Sequence, residues 1–416
     1  MTEAVTTPLT LQHDATADRQ LWHRVLVKIG LVYLFSRACV LVGAAIVAAE
    51  LRADDNIVKA NFPGVPWSDP HYSTGASTTN AVRPMIDVLT SWDGLWYLRI
   101  ARDGYPRTVR PNVTYEMDDA RAAFFPLYPM LVRGVDRVLP GGSTIAALLV
   151  NVLLGAVAIV LVGLLAKRLF GIRIAESTMV LMALFPGSFV LSFAYTEALL
   201  LVFAAASLIA LVKQQWLAAG LLAALGTATR PNGVALIAAC AVASFFAIKE
   251  RRAWGSLVAP ALAPLGFIGF QLFLTHHTGE RGVWFRVQTE AWGEGTSFGL
   301  TALTNTLEAF THPLTSPTDT ITAASVLTLV VLGFFWWKRR LPAVLTAYCV
   351  VIVLLMLLPS TVTARPRFIY TAFPLFISAA LWFEDDHRDW WPYVIGACSA
   401  GLVGLTALYG VFGAIP

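Results

Sequence analysis

The chain has 416 residues, of which 57% are hydrophobic and 13% charged, with a mean hydropathy of +0.66. A soluble domain carries about a quarter charged residues, so this composition excludes a soluble fold and points into the membrane. The formal charge of +4, from 30 basic and 26 acidic residues, is spread over loops with no dense basic run, which argues against nucleic acid as a partner.

Residues 1–24 read as a cytoplasmic tail carrying Asp14, Asp18, Arg19 and Arg24. No small-residue cleavage site follows the first apolar stretch, so it reads as a retained helix and not as a signal peptide. Spans of roughly 20 apolar residues cross a hydrocarbon core. On that measure the sequence predicts membrane helices at 25–49, 143–166, 174–194, 196–213, 215–229, 232–248, 254–275, 320–337, 341–358, 367–383 and 391–413. The expected fold is an all-α polytopic membrane protein of about eleven spans, with residues 25–416 as a single integral membrane domain. Short loops holding Lys167, Arg168, Arg173, Lys213, Lys249, Arg251, Arg252, Lys338, Arg339 and Arg340 all fall on one side, which the positive-inside rule assigns to the cytoplasm. Loops 50–142, 276–319 and 359–366 then face outward.

Within loop 50–142, Met85, Leu89, Trp92, Trp96 and Ile100 recur at spacings of three and four. That pattern predicts one tryptophan-rich helix lying in the membrane interface. A polar connector, Asn112 to Met117, leads to Phe124-Phe125-Pro126-Leu127-Tyr128-Pro129, where the prolines suit the first turn of another helix. Cys39, Cys240, Cys349 and Cys398 sit in apolar segments with no metal-ligand spacing and read as small core residues.

Asp93 lies at the edge of the apolar stripe, with Tyr97 one turn on. A partly desolvated carboxylate at the bilayer surface suits a general base toward a sugar or lipid hydroxyl, or else it is a surface acid paired with Arg99 or Arg102. Glu197 stands in an apolar run, where an ionisable side chain marks a site or a buried pair, Arg230 being the available partner. Arg230, beside the helix-breaking Pro231 and Gly233, either binds phosphate or snorkels from a helix end. Arg365 and Arg367, with Tyr370, open a helix on the outer side against the positive-inside trend, and either could hold a phosphate. Glu116, Asp118 and Asp119 beside Arg121 read as a solvated loop or as acceptor-orienting groups. His276, His277 and Glu280 lack a fourth ligand at useful spacing, so no metal is assigned.

Ser91-Trp92-Asp93-Gly94-Leu95-Trp96-Tyr97-Leu98-Arg99-Ile100-Ala101-Arg102-Asp103-Gly104-Tyr105 and Ala123-Phe124-Phe125-Pro126-Leu127-Tyr128-Pro129 resemble the first outer loop of the PIG-V family of mannosyltransferases. Tyr195-Thr196-Glu197-Ala198-Leu199-Leu200 and Ala228-Thr229-Arg230-Pro231-Asn232-Gly233 resemble two further segments of that family, with Thr196 and Pro231 standing where it has serines. The resemblance covers roughly residues 25–380. It implies a bundle of the GT-C superfamily, a polyprenyl- or dolichyl-phosphate mannose donor, an extracytoplasmic active site and inversion at the anomeric carbon. Asp93 matches the family's Trp-Asp acid, expected as base, and Arg367 its late arginine-aromatic segment. Trp92, Tyr97, Arg121, Tyr128, Tyr195, Glu197, Arg230, Asn232, Arg365, Arg367 and Tyr370 are the expected substrate-binding residues.

The expected activity is transfer of mannose from a polyprenyl-phosphate donor to an extracytoplasmic glycolipid or glycan acceptor, without a cofactor, in a bacterial plasma membrane. Arabinose or glucose in place of mannose, or a protein acceptor, fits the same fold. A lipid or solute transporter is the rival from another class, because broken helices and intramembrane charges occur there too.

Overall fold

The computed structural model describes residues 9–61, 82–361, 365–385 and 387–411, with the side chains of 9–17, 51–61 and Arg365 outside the description. The described residues form helices joined by short turns: α1 (Leu9–Asn61), α2 (Val82–Leu89), α3 (Asp93–Asp103), α4 (Leu127–Asp136), α5 (Gly142–Phe170), α6 (Ile172–Leu184), α7 (Glu197–Val212), α8 (Trp216–Thr227) and α9 (Ala235–Arg251). They continue as α10 (Val258–Leu262), α11 (Leu265–Thr278), α12 (Val283–Trp292), α13 (Leu300–Thr311), α14 (Pro317–Lys338), α15 (Ala343–Leu357), α16 (Arg365–Thr371), α17 (Pro374–Asp385) and α18 (Trp391–Gly410).

The chain is an integral membrane protein. Six stretches among the described residues are long and apolar enough to cross a bilayer: Asp18–Glu50, Gly142–Phe170, Pro231–Arg251, Trp254–Thr278, Pro317–Lys338 and Arg388–Gly410. Three more apolar helices, Glu197–Val212, Trp216–Thr227 and Ala343–Leu357, are shorter. These nine match nine of the eleven expected segments, six of them long enough to span, and the remaining two are interrupted. The expected 174–194 span ends as α6 at Leu184, because Pro186 lacks the amide that would continue the ladder. Segment 254–275 breaks ahead of Pro264, and segment 367–383 breaks ahead of Pro374. In contrast, α1 begins well inside the presumed tail and runs past residue 49 to Asn61.

The expected single helix through Met85 and Ile100 is two helices. Thr90 and Ser91 turn their hydroxyls back to the carbonyls of Ile86 and Val88, at 2.9 and 2.8 Å. These local bonds compete with the helical ladder. Trp92 then takes a left-handed backbone (φ 58°), an uncommon conformation for a bulky residue, and redirects the chain into α3.

Two apolar cores result. The larger joins α1, α5 to α9 and α14 to α18. The smaller is built around α3 and α4, where Tyr97, Phe124, Phe125 and Tyr128 pack with Phe270 and Trp284. Arg286 of α12 clasps this cap: it ion-pairs with Glu280 at 2.6 Å and Glu290 at 2.8 Å, and donates to the carbonyls of Arg110 and Val109 at 3.1 and 3.2 Å. Segment 82–142 thus packs onto one end of the bundle, with Asp119 buried, while Glu116 and Asp118 stay exposed as a solvated connector.

Candidate active site

Helix breaks build the site. After α6 the chain makes a 3₁₀ turn over Pro186–Leu191 and an irregular stretch to Thr196, all inside the bundle. Backbone at that depth must find partners. Asn151, fully buried on α5, donates its side-chain amide to the carbonyls of Phe193 and Tyr195, the latter at 2.8 Å. The Ala194 amide bonds the Leu89 carbonyl at 2.9 Å, tying this stretch to the end of α2 just before Asp93. Arg37 of α1 supports the same stretch from below, donating to the Ser188 carbonyl and the Ser192 and Ser188 hydroxyls at 2.8, 2.9 and 2.9 Å.

Four charged side chains from four separate segments meet beside this stretch. Asp93 and Glu197 each occupy the first turn of a helix, α3 and α7, where free amides favour an acid. Arg230 stands at the break between α8 and the 3₁₀ turn Pro231–Val234. Arg367 comes from α16. Arg367 Nη1 donates to Asp93 Oδ2 at 2.6 Å and lies 3.5 Å from Glu197 Oε1. Arg230 Nη1 ion-pairs with the same Glu197 oxygen. Glu197 is fully buried, Arg367 and Arg230 nearly so, and the Asp93 side chain keeps 28% of its exposure. The order runs from a buried arginine to a carboxylate that keeps part of its exposure.

Aromatic rings frame these charges. The Tyr195 ring faces the Arg367 guanidinium at 5.0 Å, and Phe368 faces Arg230 at 5.8 Å, arrangements that suit cations. The Tyr97 hydroxyl is 3.4 Å from Thr196 Oγ1. Burial, with Asp93 nearby, pushes that hydroxyl well above the usual tyrosine range, so Tyr97 remains a neutral group. Trp92 donates its indole N–H to the Tyr409 carbonyl at 3.0 Å, pinning the turn before Asp93 to α18.

The structure thus brings Asp93, Tyr97, Tyr195, Glu197, Arg230 and Arg367 together, with Trp92 as an anchor. Asn232, buried on the turn after Arg230, leaves its side-chain nitrogen without a hydrogen bond. The remaining candidates stand elsewhere. Tyr128 is fully buried in the smaller core, edge-on to Tyr97. Tyr370 bonds the Met182 carbonyl at 2.9 Å and stacks on Phe185. Arg121 turns to Asp118 at 3.6 Å, and Arg99 also pairs with Asp118, at 2.7 Å, leaving Arg367 as the cation on Asp93. The Arg365 side chain lies outside the described residues. Glu280 is held by Arg286, and His277 lies 3.3 Å from the Tyr105 carbonyl.

Asn151 and Arg37 were not singled out from the sequence. Each is a polar residue inside an apolar run, which is the signal that drew attention to Glu197.

The family described as dolichyl-phosphate-mannose-protein mannosyltransferase matches residues 124–277. That stretch includes Glu197 and Arg230, while Asp93 and Arg367 lie on either side of it. Among solved structures, the chain is similar to ArnT from Cupriavidus metallidurans bound to undecaprenyl phosphate, at 16% identity and a TM-score of 0.49 over 72% of this chain and 56% of that one. It is also similar to the oligosaccharyltransferase of Archaeoglobus fulgidus in the apo form, at 15% identity and a TM-score of 0.42 over 90% of this chain and 55% of that one. The chain therefore spans little more than half the length of either. No curated protein matches it.

Proposed function

We infer that the protein is a GT-C-type glycosyltransferase that moves a mannosyl residue from a polyprenyl-phosphate donor to an acceptor hydroxyl on the outer side of the membrane. The observation that carries the reading is the accessible Asp93 carboxylate bonded to Arg367, with Arg230 and Glu197 behind it. The family match over residues 124–277 supports the donor class and the sugar.

The reaction is a single displacement. The donor phosphate competes with Asp93 for Arg367 and frees the carboxylate oxygen. As the acceptor oxygen attacks C1, Asp93 takes its proton, and the C1–O bond to phosphate breaks with its electron pair on the leaving oxygen. The polyprenyl phosphate departs as a phosphomonoester carrying the added negative charge, beside Arg367 and Arg230. Fixed cations in a water-poor cleft supply the larger share of such rate enhancement. No cofactor enters the scheme. A glycolipid or glycan is the preferred acceptor; a protein acceptor is the second reading, because the matching family's description names one.

Asp93→Asn, purified alongside the natural chain, tests the assignment by transfer from polyprenyl-phosphate mannose into a membrane extract, with the glucose and arabinose donors in parallel. Loss of a general base lowers turnover ~100-fold to ~10,000-fold. Near-normal turnover by the folded variant would remove Asp93 as the base.

A further inference from the structure

We propose that a trough at the opposite end of the bundle holds one membrane phospholipid, its phosphate between Lys28 and Arg388. The trough has a volume of about 520 Å³ and lies between α1, α6 and α18. It is remote from the site above. Trp391 at the start of α18 lines it, whereas Tyr409 at the other end of that helix bonds Trp92. Eighteen residues of helix separate the two, about 27 Å at 1.5 Å per residue.

Three parallel helix segments give the trough its polarity. The first presents Lys28, then Leu31 and Phe35. The second presents Arg388, then Trp391 and Ile395, at the same spacings. The floor is α6, with Glu176 and Ser177 level with the cations and Leu184 deeper. All polar groups therefore sit at one mouth, followed by about 10 Å of apolar wall, two helical turns at 1.5 Å per residue. A phosphate with an acyl chain beneath it has the same order. Leu31 and Phe35 remain 65% and 56% exposed, so their faces are open to such a chain.

The mouth also presents two half-exposed cations. Lys28 and Arg388 line it, and each cation has one carboxylate beside it, Glu176 and Glu384, so a phosphate would share both cations with these acids. Lys28 ion-pairs with Glu176. Arg388 is held from behind by Glu384 and donates to Ser177 Oγ at 3.1 Å, with Trp391 under its guanidinium at 4.6 Å. About half of each cation stays accessible: their side chains keep 59% and 50% of their exposure. A guanidinium and an ammonium on opposite walls are complementary to a phosphodiester.

The test uses the full chain in detergent, stripped of lipid, with dioleoylphosphatidylglycerol, dioleoylglycerol or undecaprenyl phosphate added, and bound lipid counted by native mass spectrometry. The expected result is one phosphatidylglycerol per chain and no dioleoylglycerol, which has the same tails without the phosphate. Combined Lys28→Gln and Arg388→Gln substitution should weaken retention about 10-fold, a discounted value because each cation is shared with an internal carboxylate. Ile395→Trp should weaken it comparably by filling the trough with the charges intact, Lys28→Arg should retain it, and Leu153→Trp on an unrelated exposed face should leave it unchanged. Retention of dioleoylglycerol, preference for undecaprenyl phosphate, or equal retention by all variants would each overturn the proposal.

Discussion

Glu197→Gln removes the carboxylate that touches both arginines of the site. At 3.5 Å from Arg367 Nη1, the lost attraction is about 5 kcal/mol at an effective dielectric of ~20. Relief from desolvating the carboxylate offsets part of this, but two nearly buried guanidiniums are left facing one another. Breaking a buried pair by removing one partner costs about 3–5 kcal/mol, and that is the expected loss. Arg230→Gln, which leaves the opposite imbalance, should cost a similar amount. The double variant restores equal numbers of each sign and should cost about as much as either single change. Unfolding in dodecyl maltoside, followed by tryptophan fluorescence, measures all three. If the single costs add within about 0.5 kcal/mol, or if Glu197→Gln costs less than about 1 kcal/mol, where the expectation is 3–5, the charges are not coupled as argued.

Three other changes probe how the site is held. At Gly187→Ala the new Cβ would stand 2.5 Å from the Pro366 carbonyl and 3.1 Å from Tyr370 Cβ, so α16 must shift and carry Arg367 with it. A displacement of about 1 Å at reacting groups costs roughly 100-fold in turnover, and transfer kinetics near normal would show that this contact does not set Arg367. Asn151→Ala removes the side-chain donor to the Tyr195 carbonyl, while the Phe193 carbonyl keeps the Tyr195 amide at 2.8 Å, an expected cost of about 1–3 kcal/mol, read as a shift in the same unfolding curve. For pH, burial pushes the Asp119 carboxyl up, but its hydrogen bonds and charge contact with Arg110 more than reverse this and leave it below the usual range. Hydrogen bonding to Arg286 likewise lowers Glu280. Because both folded-state values are depressed, their stabilisation is present above about pH 4, the ordinary carboxylate range, and is lost as pH falls through the depressed values. The protection of amides 105–123, that is their exchange corrected for the intrinsic pH dependence, should fall on acidification in that window and stay constant from neutrality down to it.

Long apolar runs made most of the bundle legible, because their positions follow from composition alone. Their continuity was less legible. Pro186, Pro264 and Pro374 sit within apolar stretches, and tertiary packing supplies partners at each break: Asn151 and Arg37 after Pro186, the Thr227 hydroxyl on the Ala263 carbonyl and the Tyr348 hydroxyl on the Thr371 carbonyl. The turn at Thr90 to Trp92 was hidden by an apolar stripe that remained in helical register across it. At the site, Asp93, Glu197 and Arg230 were each visible as charges in unusual surroundings. Their convergence was anticipated, but the partner of Asp93 was not: Arg367 is 274 positions away, whereas local spacing suggested Arg99 or Arg102. Arg121, Tyr128 and Tyr370 lie in fitting segments yet face other groups, because segment identity does not determine which way a side chain points.

Two carboxylates and two guanidiniums sum to zero, so the membrane voltage does no net work on the cluster as a unit. A single elementary charge crossing the full drop exchanges about 2.3 kcal/mol per 100 mV, and an unpaired arginine at this depth would feel some fraction of it. Here the opposing forces cancel within one set of contacts. Displacement of the four groups together is therefore electrically silent, whereas a shift of α16 alone, which carries Arg367 away from Asp93 and Glu197, moves one net charge through the field.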